Sequence, residues 1–132
     1  MSTARPNKPG AESILIIEDE EMLLQLEKSI FERIGYTIFS AENGIDGYEM
    51  FRQLNSRIDL VILDMNLPKM DGAETLRRMK QMNPSVKVLL ISGSELPRQT
   101  SENSIITSAT AFIQKPFDIP QLTALVRTIL DS

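Results

Sequence analysis

Short runs of apolar residues alternate along the chain with longer stretches in which apolar residues recur every three or four positions. Continuous apolar runs are typical of strands that are buried on both faces of a parallel sheet. Five strands are predicted in this way, at residues 14–17, 36–41, 60–63, 86–91 and 112–113. Their alternation with helices predicts an open parallel α/β sheet with helices packed on both faces.

Apolar spacing and stop residues define the predicted helices. The first helix is predicted by Leu23, Leu26, Ile30, Phe31 and Ile34 and should end at Gly35. The second should begin at Asn43, and the third should end before Asn83-Pro84. The last helix should face inward with Ile119, Leu122, Leu125, Val126, Ile129 and Leu130. Residues 96–108 are rich in Ser and Thr and predict a weak helix at best, and Asp71-Gly72 predicts a turn.

The length of 132 residues fits a single domain. Residues 1–12 combine prolines, a glycine and small polar residues, so we expect a flexible tail or linker there and a domain over residues 13–132. The sequence has no apolar run of membrane-spanning length and no signal-peptide core. We therefore expect a cytoplasmic protein without a membrane partner.

The composition excludes several kinds of chemistry. The chain has no Cys and no His, which rules out disulfides, thiol nucleophiles and imidazole bases and disfavours zinc. A net charge of −4 and an aromatic content of 5% argue against direct nucleic-acid binding, which needs basic or stacking surfaces. Covalent chemistry is thus left to carboxylates, hydroxyls and amines, and a metal would be a hard cation bound by oxygen.

Polar side chains follow the predicted strands at their carboxyl ends. Glu18-Asp19 follows the first strand, Asp64 the third, Ser92 the fourth and Lys115 the fifth. In an open parallel sheet the carboxyl ends of the strands share one edge, which is where ligands bind. We therefore expect three carboxylates, one hydroxyl and one ammonium group to meet there.

Carboxylates that are packed together repel each other, and a divalent cation removes that repulsion. Mg²⁺ prefers carboxylate, carbonyl and water oxygens. Asp19 and Asp64 can supply carboxylates, Glu18 can bind directly or through a water, and the backbone carbonyl of Asn66 can add a ligand. Such a site suits phosphoryl transfer, and an Asp carboxylate is the plausible nucleophile where His and Cys are missing.

Each of these features alone has an ordinary interpretation. A single Asp at a strand end usually caps a turn or helix, Glu18 to Glu20 could be the acidic start of the first helix, and an isolated lysine is usually solvated. The functional interpretation depends on their occurring together, each at the end of a strand.

Four motifs carry a family resemblance. They are Ile-Ile-Glu-Asp-Glu at 16–20, Val-Ile-Leu-Asp-Met-Asn-Leu-Pro-Lys-Met-Asp-Gly at 61–72, Ile-Ser-Gly at 91–93 and Phe-Ile-Gln-Lys-Pro-Phe at 112–117. Over residues 13–131 the chain resembles a response-regulator receiver domain of two-component signalling. The resemblance implies a flavodoxin-like, doubly wound (βα)5 fold with a five-stranded parallel sheet in the order 2-1-3-4-5.

The resemblance also implies roles for individual residues. Asp64 matches the phosphorylated aspartate, and Lys115 matches the lysine that contacts the phosphoryl oxygens. Ser92 and Phe112 match the hydroxyl and aromatic positions that move on activation, and the bond before Pro116 is expected to be cis.

The metal ligands that the resemblance implies for Mg²⁺ are Glu18, Asp19, Asp64 and the backbone carbonyl of Asn66. Three residues depart from the common pattern: Glu18 stands in place of Asp, Ser92 in place of Thr, and Phe112 lacks a hydroxyl group.

The implied partners are a histidine kinase or histidine phosphotransfer domain as donor, and a downstream protein on the face between the fourth and fifth helices. The implied activity is phosphorylation and dephosphorylation of the domain itself, rather than catalysis on other substrates. A stand-alone receiver, a part of a longer regulator and a part of a hybrid sensor kinase all stay open.

Three other classes compete with this interpretation. A pseudo-receiver that never takes phosphate is disfavoured by the complete set of Glu18, Asp19, Asp64, Ser92 and Lys115. A nucleotide- or flavin-binding protein is disfavoured because the loop after the first strand is acidic and lacks glycine. A haloacid-dehalogenase-type phosphatase is disfavoured because Asn66, rather than a second Asp, lies two residues after Asp64.

Overall fold

The computed structural model describes residues 12–93 and 108–132. Its five strands form one parallel sheet: β1 Ser13–Ile17, β2 Thr37–Ala41, β3 Leu60–Asp64, β4 Val88–Ser92 and β5 Ala111–Gln114. The strand order is β2-β1-β3-β4-β5. This confirms the predicted sheet. The strand order reverses between β1 and β3, and in such sheets ligands bind at the carboxyl edge beside that point.

Four helices occur in the described part of the chain: α1 Glu21–Ile34, α2 Gly44–Leu54, α3 Gly72–Met82 and α4 Ile119–Asp131. A short 3₁₀ turn at Asn55–Arg57 follows α2. The weak helix predicted at 96–108 lies almost wholly outside the described residues, as does the predicted tail up to residue 11. No helix in the described ranges is long and apolar enough to cross a membrane.

Alternation along the strands divides the core into two layers. Ile14, Ile16 and Ile62 pack with α1 and α4 on what we call the α1–α4 face of the sheet. Their neighbours, such as Leu15 and Leu63, pack with α2 and α3 on the opposite face. The sheet is therefore doubly wound, and the face that each residue takes at a strand end follows from this alternation.

The apolar residues that predict α1 do not all lie on its buried side. Leu26 and Ile34 are 48% and 44% exposed, whereas Leu24, Glu27 and Phe31 are buried. These three buried residues are spaced three and four positions apart, which is one face of a helix. The spacing of apolar residues located α1 correctly, but the buried face includes a glutamate that polarity alone assigns to solvent.

Side-chain caps fix the starts of three helices. The side chains of Asn43, Asp71 and Asp118 each accept a hydrogen bond from a backbone N–H three residues later. The predicted cap at Asn43 is confirmed. Asp71-Gly72, predicted as a turn, instead forms the start of α3, with Asp71 as its cap and Gly72 as its first residue. Each cap satisfies one of the backbone donors that a helix start leaves without a partner.

Glu12, the last residue of the predicted tail, is held by the last helix. Its carboxylate accepts hydrogen bonds from Arg127 at 2.7 and 3.2 Å, and Arg127 also donates to the hydroxyl of Tyr36. The backbone carbonyl of Glu12 accepts from Thr37 at the start of β2. Glu12 therefore belongs to the folded domain.

Candidate functional site

Three carboxylates meet at the carboxyl edge of the sheet. Asp64 is the last residue of β3, and Glu18 and Asp19 follow β1 directly. One carboxylate oxygen of each lies within 4.8 Å of those of the other two. Glu18 and Asp64 are buried and Asp19 is exposed, so the cluster, which we call the acidic pocket, opens to solvent on one side.

Among the described residues, only Lys115 places an ammonium group next to the acidic pocket. It follows β5, where its backbone N–H donates to the carbonyl of Ser92 at 2.7 Å. Its Nζ lies 3.2 Å from Oδ2 of Asp64 and 4.0 Å from Oε1 of Glu18. The peptide bond between Lys115 and Pro116 is cis, as expected from the resemblance.

Burial controls the charge of Glu18. Removal from water, helped by the charge of Asp64, raises the pKa of Glu18 to about 8, although the hydrogen bond that its Oε2 accepts from the Glu20 N–H acts to lower it. For Lys115, burial lowers the pKa, but the charges of Asp64 and Glu18 outweigh that effect and leave it above its usual value. The pocket thus contains more negative charge than its one lysine neutralises.

The residues present fit a hard divalent cation. The side-chain atoms that could bind a metal there are all carboxylate oxygens. One of them, Oε1 of Glu18, is buried without a hydrogen-bond partner among the described residues. A buried oxygen of this kind is costly unless it binds a donor or an ion. Mg²⁺ prefers such oxygen ligands, with water completing its shell on the open side.

Asn66 lies in the loop that follows β3. Its backbone N–H donates to Oδ1 of Asp64 at 2.9 Å, while Lys115 donates to Oδ2, so each oxygen of that carboxylate has its own donor. The structure thus places Asn66 beside the acidic pocket, while its role as a metal ligand stays a prediction.

Gly72, the first residue of α3, packs closely against the backbone of the same loop. The Gly72 N–H donates to the carbonyl of Met65 at 3.0 Å. A Cβ atom at Gly72 would lie 2.6 Å from Cα of Met65 and 2.7 Å from the carbonyl oxygen of Asp64, both of which are backbone atoms. The close approach of α3 to the loop therefore requires glycine at this position.

The two predicted switch residues lie on the strands beside Asp64. Ser92 ends β4 and is buried, and its Cα partner in β5 is Gln114. Phe112 pairs with Leu90 in the same ladder, and its side chain is 39% exposed. Because Ile113 faces the α1–α4 layer, Phe112 faces the opposite layer.

Glu27 is a buried carboxyl group that the sequence analysis did not single out. It lies in α1, is 0% exposed and has no hydrogen-bond partner for either oxygen among the described residues. Burial raises its pKa to about 7. Its spacing from Leu24 and Phe31 was the only signal in the sequence that could have placed it inside.

Comparisons with known sequences agree with this geometry. The response regulator receiver domain family matches residues 14–127. The sporulation initiation phosphotransferase F of Bacillus subtilis (strain 168) is 34% identical over 119 residues, covering 90% of this chain and 94% of that protein. The sensor kinase CckA of Brucella abortus (strain 2308) is 28% identical over 122 residues, covering 92% of this chain but only 13% of that protein.

Solved structures share the fold. A response regulator receiver domain protein from Clostridium thermocellum superposes with a TM-score of 0.79 at 28% identity, covering 91% of this chain and 94% of that one. The CheX–CheY–BeF3–Mg²⁺ complex from Borrelia burgdorferi gives 0.75 at 27% identity, with coverage of 89% and 87%. The complex of histidine kinase ThkA with response regulator TrrA from Thermotoga maritima gives 0.76 at 27%, with coverage of 90% and 98%.

The family match spans most of the chain, and the parallel sheet in the order β2-β1-β3-β4-β5 carries its three-carboxylate cluster at the carboxyl edge, where the family motifs lie. On these grounds the chain belongs to the response regulator receiver domain family of two-component signalling.

Proposed function

We propose that this receiver domain accepts a phosphoryl group from a partner phosphohistidine onto Asp64 in a Mg²⁺-dependent reaction. The observation that carries the proposal is the environment of the Asp64 carboxylate. It is buried at the end of β3, shares a pocket with Glu18 and Asp19, and lies 3.2 Å from the ammonium group of Lys115. A carboxylate held in this way can attack phosphorus while its neighbours balance the charge.

In the proposed reaction a carboxylate oxygen of Asp64 forms the new P–O bond and the P–N bond of the phosphohistidine breaks. The electron pair of that bond stays on the imidazole nitrogen of the donor. The loop after β3 holds the carboxylate in place, because the Asn66 N–H donates to Oδ1 and leaves Oδ2 toward Lys115. The chain itself has no histidine, so the donor has to be another protein or another domain.

Glu18, Asp19, Asp64 and the backbone carbonyl of Asn66 are the proposed ligands of Mg²⁺. When bound, the ion would neutralise charge on the phosphoryl oxygens during transfer. Lys115 does the same from the protein side, since the aspartyl phosphate carries one more negative charge than the free carboxylate. The hydrogen bond from the Lys115 N–H to the Ser92 carbonyl keeps the lysine at the pocket.

The proposed response to phosphorylation involves Ser92 and Phe112. The Ser92 hydroxyl would bond the new phosphoryl group at the neighbouring strand end, and the half-exposed ring of Phe112 would then turn inward. Such a change shifts a two-state equilibrium of the face around β4, β5 and α4, which is the fifth helix of the predicted (βα)5 order. A downstream protein is proposed to bind there.

The proposed donor is a histidine kinase or a histidine phosphotransfer domain. Its support is the similarity to TrrA, which was solved in complex with histidine kinase ThkA. A cytoplasmic location is part of the same proposal, as is the absence of direct nucleic-acid binding.

The test is phosphorylation by a small donor. The protein is incubated with acetyl phosphate and Mg²⁺, and its intact mass is measured with and without a chelator. We expect a gain of one phosphoryl group that requires Mg²⁺ and disappears in Asp64→Asn. Asp71→Asn is the matched control, because it changes a nearby carboxylate whose capping role asparagine can keep.

Two results would overturn the proposal. One is the absence of any mass gain in folded wild-type protein, which would favour a pseudo-receiver that binds partners without taking phosphate. The other is a gain of the same size in Asp64→Asn, which would place the phosphoryl group elsewhere.

A further inference from the structure

The buried glutamate of α1 has a position that the proposed reaction does not yet use. Glu27 is 0% exposed, and neither of its carboxylate oxygens has a hydrogen-bond partner among the described residues. A carboxyl group in such a place is much less costly to bury with its proton than without it. Packing alone would be served better by an apolar residue, so the position calls for an electrostatic explanation.

Strand alternation relates Glu27 to the acidic pocket. Ile62 packs on the α1–α4 face, and Asp64, two residues later in the same strand, follows it on that face. The same step leads from Ile113 to Lys115. The α1 residues that flank Glu27, Leu24 and Phe31, pack against this face as well. Glu27 therefore lies in the layer that backs the pocket.

The charges that act on Glu27 come from three parts of the chain. Lys115 after β5 attracts its ionised form, whereas Asp64 at the end of β3 and Glu20 before α1 repel it. Burial is the largest influence, and the balance leaves the pKa of Glu27 at about 7. Glu27 makes no hydrogen bond to the proposed metal ligands, so its coupling to them acts through space.

We propose that Glu27 is a positioning residue for the phosphorylation of Asp64, acting through Lys115. The inference rests on the proposed function. While Glu27 is neutral, the positive charge of Lys115 is available to Asp64 and the incoming phosphoryl group. When Glu27 ionises, it attracts the ammonium group of Lys115 away from Asp64. It also adds a negative charge near a pocket whose negative charge increases on phosphorylation.

Linkage gives the direction of the effect. Phosphorylation adds one negative charge at Asp64 and so favours protonated Glu27, and by reciprocity protonated Glu27 favours phosphorylation. A bound cation instead favours the ionised form of Glu27. The phosphorylation rates of the variants therefore have to be compared at one saturating Mg²⁺ concentration. A charge buried near the pocket, in the intermediate dielectric of a folded protein, should change the rate of phosphorylation by about threefold to tenfold.

The experiment measures the rate of phosphorylation by acetyl phosphate as a function of pH in wild type, Glu27→Gln and Glu27→Asp. Circular dichroism first establishes that each variant is folded. The rates of wild type and Glu27→Gln should agree at about pH 5.5, and Glu27→Gln should be about threefold to tenfold faster at about pH 8.5. In Glu27→Asp the rate of phosphorylation should still decrease with rising pH relative to Glu27→Gln, because aspartate also ionises.

The ratio of the two rates isolates Glu27, since every other titrating group is common to both proteins. A ratio that stays constant with pH would overturn the proposal and leave Glu27 a packing residue.

A second measurement does not depend on phosphorylation. The titration of the Glu27 carboxyl carbon is followed by NMR in wild type and in Lys115→Met. We expect its midpoint to rise when the ammonium group is removed, and an unchanged midpoint would contradict the coupling. If no protein is phosphorylated at any pH, the proposed function fails, whereas the NMR titration still decides whether Glu27 and Lys115 are coupled.

Discussion

Asp64 and Lys115 are 51 positions apart in the chain, yet their charged groups lie 3.2 Å apart. Backbone hydrogen bonds hold the two residues in place. Asp64 accepts from the Asn66 N–H, and Lys115 donates its N–H to Ser92. Geometry of this kind costs little reorganisation when the charge of the site changes, which is the condition for electrostatic catalysis.

Glu27 carries the clearest prediction for stability at this scale. Its pKa is raised from 4.5 to about 7 in the folded state, so the folded protein holds a proton that the unfolded chain loses between these values. The free energy of unfolding therefore falls as the pH rises through this range. In Glu27→Gln that pH dependence is absent. The free energy of unfolding of the variant, relative to that of wild type, should therefore increase by roughly 2–3 kcal/mol between about pH 4.5 and 8.

Urea denaturation without Mg²⁺ at several pH values measures this difference. Glu18 titrates with the same sign, but it is present in both proteins and cancels in the comparison. If wild type and Glu27→Gln differ by a constant amount at every pH, Glu27 does not carry the proton that the structure indicates.

At the scale of elements, the sequence predicted strands better than helix faces. The apolar runs at 14–17 and 60–63 lie within β1 and β3, because strands buried on both faces need no polar alternation. The buried face of α1 was not predictable in the same way, since Glu27 occupies it and Leu26 does not. Burial of an acid depends on the charges around it, which only the folded chain brings together.

The site shows a similar division. The edge rule for parallel sheets predicted that Glu18, Asp64 and Lys115 would converge, and the structure brings them together. The distances, and the lack of a partner for Oε1 of Glu18, depend on rotamers and loop paths that no sequence pattern specifies. The need for glycine at residue 72 likewise comes from the approach of α3 to the loop after β3.

Gly72→Ala tests that approach. The new Cβ would meet backbone atoms of Met65 and Asp64 at 2.6 and 2.7 Å, so the loop has to move. We expect a loss of about 1–3 kcal/mol in the free energy of unfolding. Slower phosphorylation should accompany it, because the loop carries Asn66, whose N–H holds the Asp64 carboxylate. Gly93→Ala is the matched control, since its Cβ would lie 3.8 Å from the Asn66 side chain, an ordinary contact. Equal stability of the two variants would contradict this account of the loop.

On the scale of the whole molecule, the acidic pocket and Lys115 bring together residues at the ends of β1, β3 and β5, so a ligand that binds there only in the folded state stabilises the fold. Occupancy by Mg²⁺ at ten times its dissociation constant should add about 1.4 kcal/mol to the free energy of unfolding.

Burial and the charge of Asp64 both disfavour ionised Glu18, so Glu18→Gln should be more stable than wild type at alkaline pH without Mg²⁺.

Thermal unfolding with and without Mg²⁺ tests this coupling. The unfolding temperature of wild type should rise with Mg²⁺, and that of Glu18→Gln should rise less, because one carboxylate ligand is gone. A rise of the same size in both proteins would show that the cation binds elsewhere.

The most direct measurement of the central claim is the position of the phosphoryl group. An acyl phosphate is reduced by borohydride to an alcohol, which converts a phosphorylated aspartate to homoserine. After incubation with acetyl phosphate and Mg²⁺, reduction and peptide mass spectrometry should find homoserine at position 64 and leave Asp19 and Asp71 unchanged. Homoserine at another aspartate, or none in folded and Mg²⁺-saturated protein, would contradict the assignment of Asp64 as the phosphoacceptor.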